Sequence, residues 1–409
     1  MIVRLHWGWL LLSLLLLVAL AGLVPASAHA ATSVNARAYG MVGDNSKDNS
    51  AALLRACRAG VAKRLPVVIP AGRYRLASTV TLPAGVKLRG AGGHNSASTT
   101  AAFKGTWLRG AVRFSSNVTV SDMKIGDWLA KRTVGPASRN TSNVRFTRVR
   151  FRGGGGYGGS IFGVDAESMN GLYLNGCRFE RNLGKWNANG GSGALWFAVD
   201  TSMGNVIRNI VIKNSVFGVT NGIRKGQPTY NLVCWQSEES GSGWWGDITI
   251  AGNTFEATDE FNLDFDGLRQ RDNGHNNVII RDNLIKGGGK IRADGSRPSW
   301  GYTICTEPTR RGTVVENNRL YRGFYNVFKT TKDTTDTVFR NNIIDLTVDN
   351  GVQPYYDGFY RTVNLYDGAR NRVTGNTIYV PAGAETSSGV IYSAEPTSIV
   401  TQNRIIRKK

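Results

Sequence analysis

The sequence predicts an all-β chain wound as a single-stranded parallel β-helix of about ten coils. Three observations carry that prediction. One octapeptide pattern recurs: ITIAGNTF (248–255) is repeated position for position by VIIRDNLI (278–285), TVVENNRL (313–320), TVFRNNII (337–344), NRVTGNTI (371–378) and SIVTQNRI (398–405). Internal repeats outrank local propensity as a fold signal. The Asn residues of the pattern, Asn253, Asn283, Asn318, Asn342, Asn376 and Asn403, stand 30, 35, 24, 34 and 27 residues apart. Those intervals are too long for hairpin turns and fit one three-strand coil each. Finally, an apolar residue (Phe255, Ile285, Leu320, Ile344, Ile378 or Ile405) follows each Asn by two positions, as an inward-facing site on a strand requires.

Asn suits the corner between two strands because it tolerates the left-handed region better than other non-glycine residues. Stacked coil on coil, such side chains can also hydrogen-bond one another, donor to acceptor. NVTVSDMKI, NVRFTRVRF, GLYLNGCRF and NIVIKNSVF extend the pattern upstream, and about ten coils at ~4.8 Å each make a rod ~50 Å long. The preference for right-handed parallel crossovers sets the hand.

Residues 1–30 read as a signal peptide: Arg4 and His6, a Leu-rich run from Leu10 to Val24, then Ala28-x-Ala30. The run is shorter than the ~20 residues of a membrane span. A secreted protein, extracellular or periplasmic and monomeric, is therefore expected, with residues 31–409 as one domain. A solenoid can hold that length, because it grows without a second core. The net charge of +21 points to a polyanionic partner, an acidic polysaccharide or an anionic surface. Nucleic acid is not expected, since its binding motifs are missing. Cys57, Cys177, Cys234 and Cys305 have no metal-ligand spacing. Cys234 and Cys305 fall two coils apart, ~9.6 Å, beyond disulfide reach, so buried free thiols are predicted.

Residues 35–93 begin with a Tyr-Gly-Met-Val-Gly-Asp run (39–44), followed by a helix near 49–63. Asp48 or Asn49 can cap that helix, and Leu53, Leu54, Cys57 and Val61 share one of its faces. Val68-Ile-Pro-Ala-Gly-Arg-Tyr74 and Leu88-Arg-Gly-Ala-Gly92 follow. A helix laid over an open β-helix end covers its apolar core and strand edges. This run resembles the N-terminal module of the pectate-lyase-like superfamily, in the branch near rhamnogalacturonases and related epimerases. The resemblance covers about 60 residues closely and the remainder only in β-helix pattern. It implies a right-handed β-helix and carbohydrate chemistry, without naming the reaction.

The longest turns lie between positions 177 and 318, in NLGKWNANGGSG, TNGIRKGQPTY, ESGSGWWG and KGGGKIRADGSRPSW. Insertions in a solenoid map to loops, often on the binding face. Trp186, Trp244, Trp245 and Trp300 in these turns are candidate sugar platforms. Aligned third strands (NLVCWQSE, FNLDFDG, GYTICTEP and YNVFKTTKD) turn Val233, Trp235, Leu263, Phe265, Ile304 and Phe328 inward. That leaves Gln236, Asp264, Cys305 and Lys329 in one outward row and Glu238, Asp266, Glu307 and Thr331 in the next. Four carboxylates this close need a cation or a proton between them. Glu238, Asp264, Asp266 and Glu307 are thus candidate Ca²⁺ ligands. Arg269, Arg271, His275, Lys290, Arg292 and Lys329 supply basic groups around them.

Three functions fit this pattern. In the first, a Ca²⁺-assisted lyase acts on a uronate-containing polysaccharide. The resemblance implies outward carboxylates holding the metal, a role for Asp266 beside it, and Lys329, Arg271 or Arg269 removing the proton. Gln236, Lys290, Arg292, His275 and the four Trp residues would bind substrate. In the second, a glycoside hydrolase uses paired carboxylates. The Asn-Thr-Asp and Gly-His-Gly motifs of the polygalacturonase branch are missing, however, as is the Asp-Pro-His-Asp motif of alginate epimerases. In the third, the rod is a non-catalytic adhesin or polysaccharide-binding module.

Overall fold

In the computed structural model the described residues are 32–93, 103–126, 132–153, 160–165, 167–180, 192–199, 204–218, 229–236, 243–258, 260–266, 277–289, 301–306, 312–331, 334–350, 352, 362–366, 368–382 and 389–408. The signal-peptide segment lies outside them. Residues Val34–Lys409 form one compact unit. Among the described residues no helix is long and apolar enough to cross a membrane.

The unit is a right-handed parallel β-helix. Every strand pair is parallel, and each strand meets its counterpart one coil on: Val278–Arg281 pairs with Val314–Glu316, which pairs with Val338–Arg340 and then Arg372–Thr374. One 24-stranded sheet runs round the Asn corner and so covers two faces, while an 11-stranded sheet makes the third. Among the described residues the third face has eleven strands, in line with the about ten coils expected.

The N-terminal cap is helix α1, Ser50–Lys63. Asn49 occupies the cap position, but the carboxylate of Asp48 does the capping, accepting from Ser50 N at 2.9 Å and Ser50 Oγ at 2.6 Å. Leu53, Ala56, Cys57 and Gly60 are buried against the first coils, and Leu54 and Val61 pack at the margin. Gly60 is required by close approach: a Cβ there would stand 2.4 Å from Val67 Cγ2.

The predicted Asn ladder is present and continuous. Each Asn Nδ2 donates to the next Asn Oδ1: 253 to 283 at 3.0 Å, 283 to 318 at 2.9 Å, 318 to 342 at 3.0 Å, 342 to 376 at 3.0 Å and 376 to 403 at 2.9 Å. The other Nδ2 hydrogen goes to a carbonyl of the preceding coil, such as Ile280 O for Asn318 at 2.9 Å. Each Oδ1 also takes a main-chain N–H, so the buried amides are fully used. The expected reason for Asn here needs correcting. The left-handed residue is the one before it: Gly252, Asp282, Asn317, Asn341, Gly375 and Gln402 all have φ between 55° and 67°. That residue makes the bend, and the ladder Asn turns its amide inward where water is excluded. The column begins upstream at Ser215, whose main-chain N donates to Asn253 Oδ1 and whose Oγ accepts from Cys177 N.

Two positions after the ladder, apolar side chains fill the core. Phe151, Phe179, Phe217 and Phe255 stack with centroids 4.9, 4.6 and 4.5 Å apart, and Ile285, Leu320, Ile344 and Ile378 continue the column. Burying each of these side chains contributes ~1.5–3 kcal/mol, so the stack is a main source of rod stability.

All four cysteines are free and buried, as the coil spacing requires. Burial pushes the Cys57 and Cys177 thiols up to about 12, against two weaker backbone hydrogen bonds in the case of Cys177. The thiolate is the reactive form. Native protein at neutral pH should therefore leave all four unreacted with an aromatic disulfide reagent, and urea should release four. Rapid reaction of even one thiol before unfolding would contradict this packing.

Candidate functional site

The third face carries Asp264 and Lys329, two of the predicted site residues, two coils apart. Its strands share one register, and a single outward row can be followed along it. From the N-terminal end the row runs Thr81, Arg113, Gly135, then Trp196, Val233, Asp264, Cys305, Lys329, Asn364 and Tyr392, with Gly163 beside Trp196. Leu232, Cys234, Leu263, Phe265, Ile304 and Phe328 point the other way into the core.

This register corrects the sequence alignment at one strand. Val233 and Trp235 were expected inside, yet Leu232 and Cys234 are the core residues there. Val233 therefore stands opposite Asp264, and Trp235 opposite Asp266. Gln236 is not in the Asp264 row, and the residue facing Asp266 is Trp235 rather than Glu238. The pairing is anchored at the start of the strand, where Asn231 N and Leu232 N both donate to Asn262 O and Asn231 Nδ2 donates to Asn262 Oδ1 at 2.9 Å. Asn231 so stacks on Asn262 and Leu232 on Leu263, three residues away from the sequence alignment, which set Gln236 level with Asp264. The Asp264, Cys305 and Lys329 row matches the prediction.

Other predicted residues fare differently. Trp245 is fully buried, 6.0 Å from Phe265, so it is a core residue and not a sugar platform. Trp244 and Trp245 do not sit in a loop; they begin the strand Trp244–Ala251 on another face, paired with Val206 and Ile207. Trp244 is half-buried there. The positions Trp186, Glu238, Arg269, Arg271, His275, Lys290, Arg292, Trp300 and Glu307 lie outside the described residues, as do the side chains of Gln236 and Asp266.

Around Lys329 the chemistry is specific. Its Nζ donates to Tyr302 Oη at 3.2 Å and lies 4.7 Å from the centre of the Tyr302 ring. That ring belongs to an aromatic ladder, Tyr230, Phe261, Tyr302 and Tyr325, with centroids 5.6, 5.1 and 5.7 Å apart along four coils. Burial raises the Tyr230 hydroxyl well above its ordinary value, and the Asp264 and Glu260 carboxylates add to the effect. Asp264 likewise adds to the burial that raises Cys234. The Asp264 charge is therefore felt across this patch. Tyr230, Phe261, Tyr302, Tyr325 and Trp196 were not singled out from the sequence. For the ladder residues the signal was present, as an aromatic residue two positions before an apolar core residue in TYNLV, EFNLD, GYTIC and FYNVF.

Among the described residues, no three His, Cys, Asp or Glu side chains gather as a metal site would need. Asp264 is the one described carboxylate in the row, and its register neighbours Val233 and Cys305 are not hard oxygen donors.

A family model described as rhamnogalacturonase A/epimerase, pectate lyase-like, matches residues 33–234. No curated protein matches the chain in sequence. Among solved structures, the surface protein and adhesin PfbA of Streptococcus pneumoniae aligns with a TM-score of 0.61 at 14% identity, covering 92% of this chain and 99% of that one. The Dettilon tailspike protein aligns with a TM-score of 0.53, also at 14% identity, covering 92% of this chain and 70% of that one. At such identities the likeness is one of fold. Winding, capping helix and matched module agree: residues 33–234 match the pectate-lyase-like family, and the whole unit has the right-handed parallel β-helix fold of that superfamily.

Proposed function

We propose that the protein binds an acidic, uronate-containing polysaccharide along the third face and cleaves it by elimination. The observation that carries this reading is the outward row itself, which sets Trp196, Asp264 and the Lys329–Tyr302 pair on one surface of a strongly basic chain. Elimination needs a cation to meet the uronate carboxylate and a base to take the hydrogen on the carbon beside it. The electron pair of that C–H bond becomes the new carbon–carbon double bond. The glycosidic C–O bond then breaks onto its oxygen, which takes up a proton. In this reading Lys329 is the base, and Arg269 or Arg271 meets the carboxylate. Tyr302 holds the Lys329 amine in place.

The superfamily suggests Ca²⁺ for neutralising the carboxylate. The described donors do not make such a site, because Asp264 stands between a valine and a cysteine. A calcium ion would need Asp266 together with Glu238 and Glu307, and the last two lie outside the described residues. No step is assigned to it here. Hydrolysis by paired carboxylates is less well supported, since the described row holds one carboxylate where that chemistry uses two.

Incubation with a panel of uronate polymers, with and without chelator, tests the reading. New ultraviolet absorbance from unsaturated uronate ends is expected with at least one polymer, and unchanged rates in chelator would fit the donor set. Saturated ends alone would favour the hydrolase. Tight binding with no cleavage would favour the adhesin.

A further inference from the structure

We infer that Trp196 is a distant sugar platform, which makes the third face select for polymer length; this rests on the reading just given. Trp196 lies on the same outward row as Lys329, reached through Val233, Asp264 and Cys305. Four coil steps at ~4.8 Å place the two backbones ~19 Å apart. An extended sugar chain advances by roughly one such step per unit, so a chain centred on Lys329 reaches Trp196 only about four units away.

Three features fit Trp196 to that task. It is half-buried on an outward position where the core needs no aromatic, since Leu195 and Phe197 on either side fill the interior. Glycine flanks it: Gly163 is its register partner and Gly135 continues the row, so no row side chain stands beside the indole on the side away from Lys329, although both glycines are themselves covered. Gly193, in register with Tyr230, interrupts the aromatic ladder at this coil. A Cβ at Gly193 would stand 3.8 Å from Trp196 Cε3 and 3.0 Å from Leu195 O, so the indole edge borders the place where the ladder stops. A partly exposed indole suits a pyranose ring, which presents C–H bonds on its faces and hydroxyls at its rim.

Calorimetric titration of wild type and Trp196→Ala with oligogalacturonates and oligomannuronates, from dimer to octamer, tests the inference. Wild-type affinity for one series should rise up to about the pentamer or hexamer and then level. Trp196→Ala should lose about tenfold or more on the long oligomers and nothing on dimer and trimer, while Trp196→Phe keeps most of the gain. An equal loss at every length, or length-dependent binding that Trp196→Ala leaves unchanged, would overturn the role of Trp196 alone. Wild type that binds no oligomer of either series would overturn the polysaccharide reading and this inference with it. A melting curve of Trp196→Ala close to wild type separates lost contact from lost fold.

Discussion

Asn318→Asp should be among the most destabilising single-atom-scale changes in the rod, and its cost should depend on pH. In the wild type Asn318 Nδ2 donates to Ile280 O and to Asn342 Oδ1, while Asn318 Oδ1 accepts from Asn283 N and Nδ2. A carboxylate can still accept both bonds from Asn283. It cannot donate, so its second oxygen faces two acceptors in a site about 1% exposed. An uncompensated buried charge of this kind costs about 3–5 kcal/mol. Protonation offers a partial escape, since a neutral acid can donate one of the two bonds. The folded-state pKa of the new acid is thus raised above its unfolded value of about 3.9. A raised folded pKa means stability present below the unfolded value and lost as pH rises through the folded one. The deficit against wild type should therefore be smallest near pH 4 and grow toward pH 7. Asn318→Ser should cost less, because Ser215 already fills this column upstream, accepting from Cys177 N and donating to Lys213 O at 2.8 Å. Urea melts of the three proteins across that pH range measure the effect. A deficit independent of pH would mean that the ladder site is wet.

The residues that define the fold were legible because each repeats on a physical period. Asn318 and its counterparts, the apolar position two residues on and the helix that closes the first coil are set by local geometry or by burial, and both leave a periodic trace in the sequence. The hidden part lay in the register of one strand. The stacked pair Asn231 and Asn262 fixes it, and an offset by an odd number of residues exchanges inside and outside along the whole strand. Val233 reads as core by composition but faces away from it, covered there all the same, whereas Cys234 fills the interior. Trp245 shows the same limit from the other direction. Its place in a Gly- and Ser-rich stretch suggested a loop, but the strand containing it begins at Trp244 and buries it. The row of Asp264, Cys305 and Lys329 was legible because Leu263, Phe265, Ile304 and Phe328 mark the inward positions on the strands that carry it.

Lys329→Ala should abolish most turnover while leaving the rod intact. The side chain is outward and half-buried, its register partners are Cys305 and Asn364, and nothing in the core rests on it. Loss of a general base typically costs ~10²–10⁴ in rate, so kcat should fall by that order with the melting temperature close to wild type. Two companion variants separate chemistry from electrostatics. Lys329→Arg keeps the cation and the reach to Tyr302, but a guanidinium does not give up its proton in this pH range. If Lys329 takes the substrate proton, arginine should be about as inactive as alanine; if it only pairs with a carboxylate, arginine should restore turnover. Tyr302→Phe keeps the ring between Phe261 and Tyr325 but removes the oxygen 3.2 Å from Lys329 Nζ. Its effect should fall mainly on kcat and be smaller than that of Lys329→Ala, as befits a positioning residue. Unsaturated-product formation under single-turnover conditions reads all three directly. Full activity in Lys329→Ala would remove this residue from the reaction.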